Sequence, residues 1–192
     1  MDNLLTLVRT LGKYLHTEIT MRQLAKEAKV PYTTARRLIE GNKELFVTNK
    51  KGNIKLCSLN LADDTTKTYL ILSERKETAS FMKQHPQVRV LKEAVPKGDY
   101  TVILFGSRAE EKHREKSDID LCIINKKGTR DVKFSQFELI FKVEINPIYL
   151  SDGEFKQMLK EKEHNIAKEI IKKHIILYGE EHFWNLVWKN GI

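Results

Sequence analysis

The chain has 192 residues, of which 41% are hydrophobic and 31% are charged, and its formal net charge is +8. This is the length of one large or two small domains, and the composition excludes a disordered or low-complexity protein. No apolar run approaches the ~18 residues of a membrane span, and the N-terminus lacks a signal-peptide pattern. The two cysteines, Cys57 and Cys122, are too few for a disulfide framework, so we expect a soluble cytoplasmic protein with reduced thiols.

Most of the positive charge lies in the first third of the chain. Residues 1–60 contain 11 Lys and Arg against 5 Asp and Glu, whereas residues 61–192 contain 23 against 21. A basic surface attracts polyphosphates, whether nucleic acid, an anionic membrane or a nucleotide. The charge therefore indicates an anionic partner for the first sixty residues, but it does not select one of these classes.

Helical spacing of apolar residues and turn signals predict three short helices followed by a β-hairpin in this basic region. Thr20 can cap the second helix, and Lys29-Val30-Pro31 breaks the chain sharply before the third. The composition of residues 49–52, Asn-Lys-Lys-Gly, is typical of a hairpin turn. The predicted helices cover 3–16, 21–28 and 32–40, and the predicted strands cover 44–48 and 53–60.

This order of elements in residues 1–60 resembles the winged helix-turn-helix domains of prokaryotic transcription regulators. The resemblance implies that the third helix enters a major groove of DNA and that hairpin lysines reach phosphates. Arg36 and Arg37 are adjacent on a helix, so they cannot both read bases. The alternative is a protein-interaction module whose lysines only solvate it. The candidate DNA-binding residues are Tyr32, Thr33, Thr34, Arg36, Arg37, Lys50 and Lys51, with Lys55 as a further phosphate contact.

A long amphipathic helix is predicted over 62–84, ending before His85-Pro86 because proline disfavours helix in the residue before it. It is a candidate spacer or homodimer contact, and the alternative is that it packs on the second domain. A shorter helix follows over 87–95. We therefore predict a winged helix-turn-helix domain at 1–60, a linking helix at 61–86 and a second domain at 87–192.

Two predicted strands in the second domain are each associated with polar residues that could bind a ligand. The first, 99–105, stops at Gly106-Ser107, where a glycine lets the backbone approach a ligand and free N–H groups favour phosphate oxygens. The second, 117–124, carries Asp118 and Asp120, which point to the same face because a strand alternates. Two carboxylates so placed repel each other and favour a bound divalent cation, normally Mg²⁺.

The string LFGSRAEEKHREKSDIDLCI (104–123) resembles the DNA polymerase β-like nucleotidyltransferase superfamily, and within it the minimal nucleotidyltransferases. The resemblance implies an α+β fold in which a mixed sheet carries flanking helices. It also implies that Asp118 and Asp120 are catalytic ligands of a two-metal Mg²⁺ site, with Mn²⁺ as an alternative ion. Arg108 either helps to bind the triphosphate or stays on the surface. The residues that the resemblance assigns to nucleotide binding are Gly106, Ser107, Arg108 and Ser117.

The superfamily has a third carboxylate on a neighbouring strand, and the matching position in the predicted strand 137–150 is Glu144. The resemblance implies that Glu144 binds the second metal and takes the proton of the attacking hydroxyl. The usual residue is Asp, so Glu144 is a departure, and its alternative is an exposed charge. A second departure is the spacer Ala109-Glu110-Glu111-Lys112, which lacks a glycine common in the family.

The function that the resemblance implies is transfer of a nucleoside monophosphate, in the first instance AMP, from a nucleoside triphosphate to a hydroxyl acceptor. Acceptors in the superfamily include proteins, so a protein acceptor or a toxin partner is one expectation. The alternative is a non-catalytic, DNA-binding transcription regulator that senses nucleotide through this domain. Both departures from the family pattern favour that alternative.

Overall fold

The computed structural model describes residues 2–15, 17–110, 118–129 and 132–188. The chain divides into two compact units, of which the first comprises Met1–Ser73 and the second Glu74–Asn190. The division falls within the helix that was predicted as a linker, so this helix contributes residues to both units.

The described part of unit 1 combines short helices with a three-stranded antiparallel sheet. Its elements are α1 (Asn3–Gly12), β1 (Ile19–Thr20), α2 (Met21–Glu27), α3 (Tyr32–Gly41), β2 (Phe46–Lys51), β3 (Ile54–Leu59) and the start of α4 (Asp64–Gln84). The strand order is β1-β3-β2. Thr20 caps α2 as predicted, because its side chain accepts a hydrogen bond from the N–H of Gln23. The helices and β3 each bury apolar side chains, among them Leu7, Leu11, Leu24, Ile39 and Leu59.

Three expectations for unit 1 need correction. Helix α1 ends at Gly12 and not at 16, and the two-residue strand β1 was not predicted. The hairpin turn is shorter than expected, because Lys51 pairs with Ile54 and only Gly52 and Asn53 connect the strands. Gly52 has φ +58°, a conformation that glycine adopts without steric cost, and this allows a tight two-residue turn. Residues 49–51, which were predicted to lie in the turn, therefore belong to β2.

Unit 2 is built on a four-stranded sheet. The elements that follow α4 are α5 (Pro86–Ala94), β4 (Tyr100–Leu104), α6 (Gly106–Ala109), β5 (Ile119–Asn125), α7 (Ser135–Phe141), β6 (Ile145–Ser151), α8 (Asp152–Lys160), α9 (Ile166–Lys172), β7 (Ile175–Tyr178) and α10 (Glu180–Trp188). The strand order is β6-β5-β4-β7. Strand β4 is antiparallel to both of its neighbours and β5 is parallel to β6, so the sheet is mixed and the predicted α+β class is confirmed for this unit.

The predicted strand 137–150 is wrong in its first part, because Ser135–Phe141 is helix α7. Phe137 and Phe141 lie one helical turn apart, and their rings stack with centroids 4.5 Å apart. Lys142 has φ +50° and ends the helix, so the strand begins at Ile145. The chain thus turns sharply just before it enters β6, beside the start of β5.

The central strands of unit 2 are almost wholly buried. Ile103, Leu121 and Ile123 have no exposed surface, as expected for strands covered on both faces. Cys122 lies in β5 and Cys57 in β3, both are buried and free, and burial raises the pKa of each thiol to about 12. Their thiolates are therefore suppressed at neutral pH.

Candidate active site

The turn after β4 lies directly against an acidic side chain of β5. Gly106 has φ +68°, and a Cβ atom placed there would lie 2.5 Å from Oδ2 of Asp120. The N–H of Phe105 donates to the carbonyl oxygen of Asp120 over 3.1 Å, which holds the two segments together. The backbone conformation therefore favours glycine, and any side chain at this position would displace the carboxylate of Asp120.

Ser107 follows in α6 and is exposed to solvent. Helix α6 has only four residues, so it is a single turn. Phosphate binding here would depend on local N–H groups and the Ser107 hydroxyl, because a single turn contributes little helix dipole. The predicted nucleotide contact Ser117 lies outside the described residues.

Asp118 and Asp120 flank Ile119 at the start of β5. Ile119 is fully buried, whereas Asp118 is exposed and Asp120 is half-buried, so the two carboxylates share the polar face of the strand. The pKa of Asp120 is raised, first by burial and then by the negative charge of Asp118. A divalent cation would relieve both effects.

Asn146 is the residue that the structure brings to this pair and that the sequence interpretation missed. In the parallel register of β5 and β6, Asn146 is the partner of Asp120. Its Nδ2 lies 3.4 Å from Oδ2 of Asp118, and its side chain also hydrogen-bonds Asp120 and lowers the pKa of that carboxyl. A search for carboxylates alone passes over an amide. The sequence signal that could have identified Asn146 is its position two residues after Glu144, because residues two apart in an extended chain lie on the same face.

Glu144 precedes β6, and its carbonyl oxygen accepts from the N–H of Ile119 over 2.9 Å. Its side chain is exposed. Among the described residues, no three Asp, Glu, His or Cys side chains lie close enough together to hold a metal ion. The role of Glu144 as third metal ligand and base therefore stays a prediction. Glu138, by contrast, accepts from the N–H of Ile145 over 3.0 Å and ties α7 to the start of β6.

Arg108 is buried, with 5% of its surface exposed, so the surface alternative for this residue is wrong. Its Nε donates to the carbonyl oxygen of Asp118 over 3.1 Å. Burial lowers the pKa of the guanidinium, while the charges of Asp118 and Asp120 oppose that shift. Arg108 also lines a cavity of about 310 Å³ with Phe81, Gln84, His85, Pro86, Gln87 and Val88. Its part in binding a nucleotide stays a prediction.

The oxygen atoms gathered at the start of β5 are hard ligands of the kind that Mg²⁺ and Mn²⁺ prefer. Asp118 and Asp120 could supply carboxylate oxygens, and the amide of Asn146 could supply a neutral one. Gly106 leaves room beside Asp120 that any side chain would fill. The donor set thus suits a divalent ion bound together with phosphate oxygens.

The residues predicted to bind DNA lie in unit 1, on α3 and β2. Tyr32, Thr33, Arg36 and Arg37 are exposed and Thr34 is half-buried, while Lys50 and Lys51 are exposed on β2. Two of the cations in this region share one acid. Glu40 Oε1 lies 2.9 Å from Arg36 Nε and 2.7 Å from Lys55 Nζ.

No helix in the described part of the chain is long and apolar enough to cross a membrane. No curated protein and no solved structure matches the chain in the comparisons made. A family model described as Polymerase beta, Nucleotidyltransferase matches residues 99–183, which run from the residue before β4 to the first turns of α10. This match supports the conclusion that unit 2 contains a nucleotidyltransferase domain of the polymerase β type.

Proposed function

We propose that the chain is a Mg²⁺-dependent nucleotidyltransferase that transfers a nucleoside monophosphate, AMP in the first instance, from a nucleoside triphosphate to a hydroxyl acceptor. The observation that carries the proposal is the contact between the Gly106 turn and the carboxylate of Asp120, with Asp118 and Asn146 beside it. A phosphate-binding turn and a pair of cation ligands thus occupy one edge of the sheet.

In the reaction, the acceptor oxygen attacks the α-phosphorus, the bond from this phosphorus to the bridging oxygen breaks, and pyrophosphate leaves. The N–H groups after Gly106 and the hydroxyl of Ser107 hold the β- and γ-phosphates. Glu144 takes the proton of the acceptor hydroxyl. When bound, the metal neutralises phosphate charge and helps to align the reacting groups.

Asp118 and Asp120 are the residues that hold the metal, and two neighbours position them. Arg108 fixes the backbone of Asp118 from the buried side through its 3.1 Å hydrogen bond. Asn146 contacts Asp118 across the strand pair and hydrogen-bonds Asp120. Catalysis of this kind depends on positioning and on charge stabilisation, so these contacts affect the rate through the placement of the two acids.

For unit 1 we propose a winged helix-turn-helix that binds DNA through α3 and the β2–β3 hairpin. The element order α1-β1-α2-α3-β2-β3, the antiparallel sheet and the surplus of positive charge support this. The acceptor would then be a protein, such as a toxin partner, whose synthesis the same chain regulates. A homodimer stays a prediction.

The test of the transferase is incubation of the full chain with labelled ATP, Mg²⁺ and cell extract, followed by measurement of pyrophosphate release and of label in macromolecules. The other triphosphates are then tried in turn. The Asp118→Ala/Asp120→Ala variant should lose at least about a hundredfold in rate. Asp99→Asn removes an exposed carboxylate before β4 and should retain the rate. Pyrophosphate release that survives in the double variant would refute the proposal.

The second candidate is a non-catalytic regulator that senses nucleotide and binds DNA. It is favoured by the absence, among the described residues, of a third acid close to Asp118 and Asp120. Such a protein would bind ATP and change its affinity for DNA without releasing pyrophosphate. The same preparation, assayed for DNA binding with and without ATP, distinguishes the two functions.

A further inference from the structure

The turn between α2 and α3 contains a lysine in a backbone conformation that favours glycine. Lys29 has φ +53°, and its N–H donates to the carbonyl oxygen of Lys26 over 3.2 Å. The next residue, Val30, donates to the carbonyl oxygen of Ala25 over 3.0 Å, which closes the end of the helix. Helix-turn-helix turns often place a glycine here, because left-handed backbone is strained for other residues. A strained residue of this kind suggests that its side chain has a function.

Lys29 belongs to a basic concavity of about 670 Å³ in unit 1, which we call the α2 groove. Arg22, Lys26 and Lys29 follow one another at intervals of four and three residues, so they line one side of α2 and its end. All three are exposed, and none forms an ion pair with another residue that the structure describes. The groove is lined by Arg22, Ala25, Lys26, Lys29, Val30, Pro31 and Tyr32.

Among the residues that the structure describes, no acidic side chain lines the α2 groove. Glu27 lies next to Lys26 in the sequence, but its carboxylate accepts hydrogen bonds from the hydroxyl of Tyr14 and the amide of Gln23. On α3 and β3, in contrast, Glu40 binds both Arg36 and Lys55 and reduces their net charge. The α2 groove therefore keeps the full positive charge of its three cations, whereas Glu40 offsets part of the charge on α3 and β3.

We propose that Arg22, Lys26 and Lys29 form a phosphodiester-binding site that holds the backbone of DNA. The proposal rests on the proposed DNA binding by unit 1, and it assigns the phosphate contacts to the α2 groove in addition to the hairpin. The exposed Tyr32 opens α3 at the edge of the same groove, so a backbone bound there would lead directly to the residues proposed to face the bases. The site recognises phosphate charge and reads no sequence.

The sharpest test is Lys29→Gly in the full chain, because it removes the charge and supplies the residue that the backbone conformation favours. Binding to a labelled mixed-sequence DNA duplex should weaken about fivefold to tenfold at 0.1 M salt, and the salt slope should fall by about 0.9. The thermal midpoint should not fall. Arg22→Ala/Lys26→Ala should lower the slope by about 1.8 in the same assay.

Lys142→Gly is the matched control. Lys142 has φ +50° in unit 2, so this substitution makes the same change of charge and relieves the same backbone strain. DNA binding should be unchanged. An equal loss in Lys142→Gly and Lys29→Gly would overturn the site, since net charge alone would then explain both.

Two further outcomes separate this proposal from the proposed function. If Lys29→Gly and Arg22→Ala/Lys26→Ala keep wild-type affinity and slope while Arg36→Ala/Arg37→Ala loses them, the α2 groove is not the phosphate site, but DNA binding by unit 1 stands. If the wild-type chain binds no duplex even at low salt, DNA binding itself fails. Retention of the wild-type chain on polyglutamate or on anionic vesicles, in place of DNA, would overturn DNA as the occupant.

Discussion

The candidate site of unit 1 is basic and that of unit 2 is acidic, and each contains a residue with a positive φ angle. In unit 2, Gly106 has this conformation and a Cβ there would meet the carboxylate of Asp120 at 2.5 Å, so glycine lets the turn and the carboxylate approach each other. In unit 1, Lys29 has it beside Arg22 and Lys26, where a glycine would be less strained. The comparison shows that one turn is constrained by the atoms it must fit, while the other retains a charge at a cost in backbone strain.

The largest effect is expected when the constrained turn is broken. Gly106→Ala forces a Cβ against Asp120 Oδ2 in a backbone conformation that alanine rarely adopts. We expect pyrophosphate release to fall about a hundredfold or more, with a loss of about 1–3 kcal/mol in the free energy of unfolding. Gly153→Ala in α8 is the control, because the nearest atom to its added Cβ is 3.9 Å away. Equal activity in both variants would contradict the role of the turn.

The next effect concerns the amide beside the carboxylates. Asn146→Leu keeps a similar volume but removes the hydrogen bonds to Asp118 and Asp120. We expect Mn²⁺ affinity and turnover each to fall about tenfold to a hundredfold. Titration of Mn²⁺ followed by its electron paramagnetic resonance signal measures the first without requiring activity. Unchanged Mn²⁺ affinity would show that Asn146 does not orient the two acids.

In unit 1, removal of a negative charge should strengthen the binding of DNA. Glu40→Gln releases Arg36 and Lys55 from their shared carboxylate, whose pKa is lowered mainly by the hydrogen bond from Lys55 and then by that from Arg36. DNA affinity at low salt should rise about twofold to fivefold, and the salt slope should steepen. Fluorescence anisotropy at several salt concentrations measures both. A fall in affinity would mean that Glu40 positions these cations for binding.

The smallest effect is a pH-dependent change in stability without divalent ions. The pKa of Asp120 is raised in the folded protein, so its ionised form destabilises the fold, and the stability it contributes at low pH is lost as the pH rises through the folded pKa. Asp120→Asn should therefore raise the thermal midpoint by a few degrees at pH 7 in EDTA, and this gain should vanish below the ordinary carboxyl pKa of about 3.9. A gain of equal size at both pH values would contradict this cause.

The elements that were predicted well have strong local signals. Helix α4 ends just before His85-Pro86, where the proline disfavours further helix, and β4 and β5 coincide with runs of β-branched and apolar residues. The error at 137–150 arose because Phe, Leu and Ile are common in both strands and buried helices. The structure shows where the helix gives way to the strand. Phe137 packs on Phe141 within α7, and Lys142, in the left-handed conformation, ends this helix before β6 begins.

The sequence by itself determined which residues are the candidates for the chemistry. The alternation of a strand places Asp118 and Asp120 on one face, Gly106-Ser107 ends the preceding strand, and the positive charge is concentrated in residues 1–60. These are properties of neighbours in the chain, so local geometry is enough to derive them.

The tertiary structure decided what these residues contact. The parallel register of β5 and β6 brings Asn146 to the two acids, and the burial of Arg108 lets its side chain hold the backbone of Asp118. The approach of β3 to α3 brings Lys55 to Glu40, in addition to the local pair that Glu40 forms with Arg36. Each contact joins residues whose separation in the chain is closed only by strand pairing or core packing. Their burial and partners therefore follow from the fold, and local sequence patterns do not contain them.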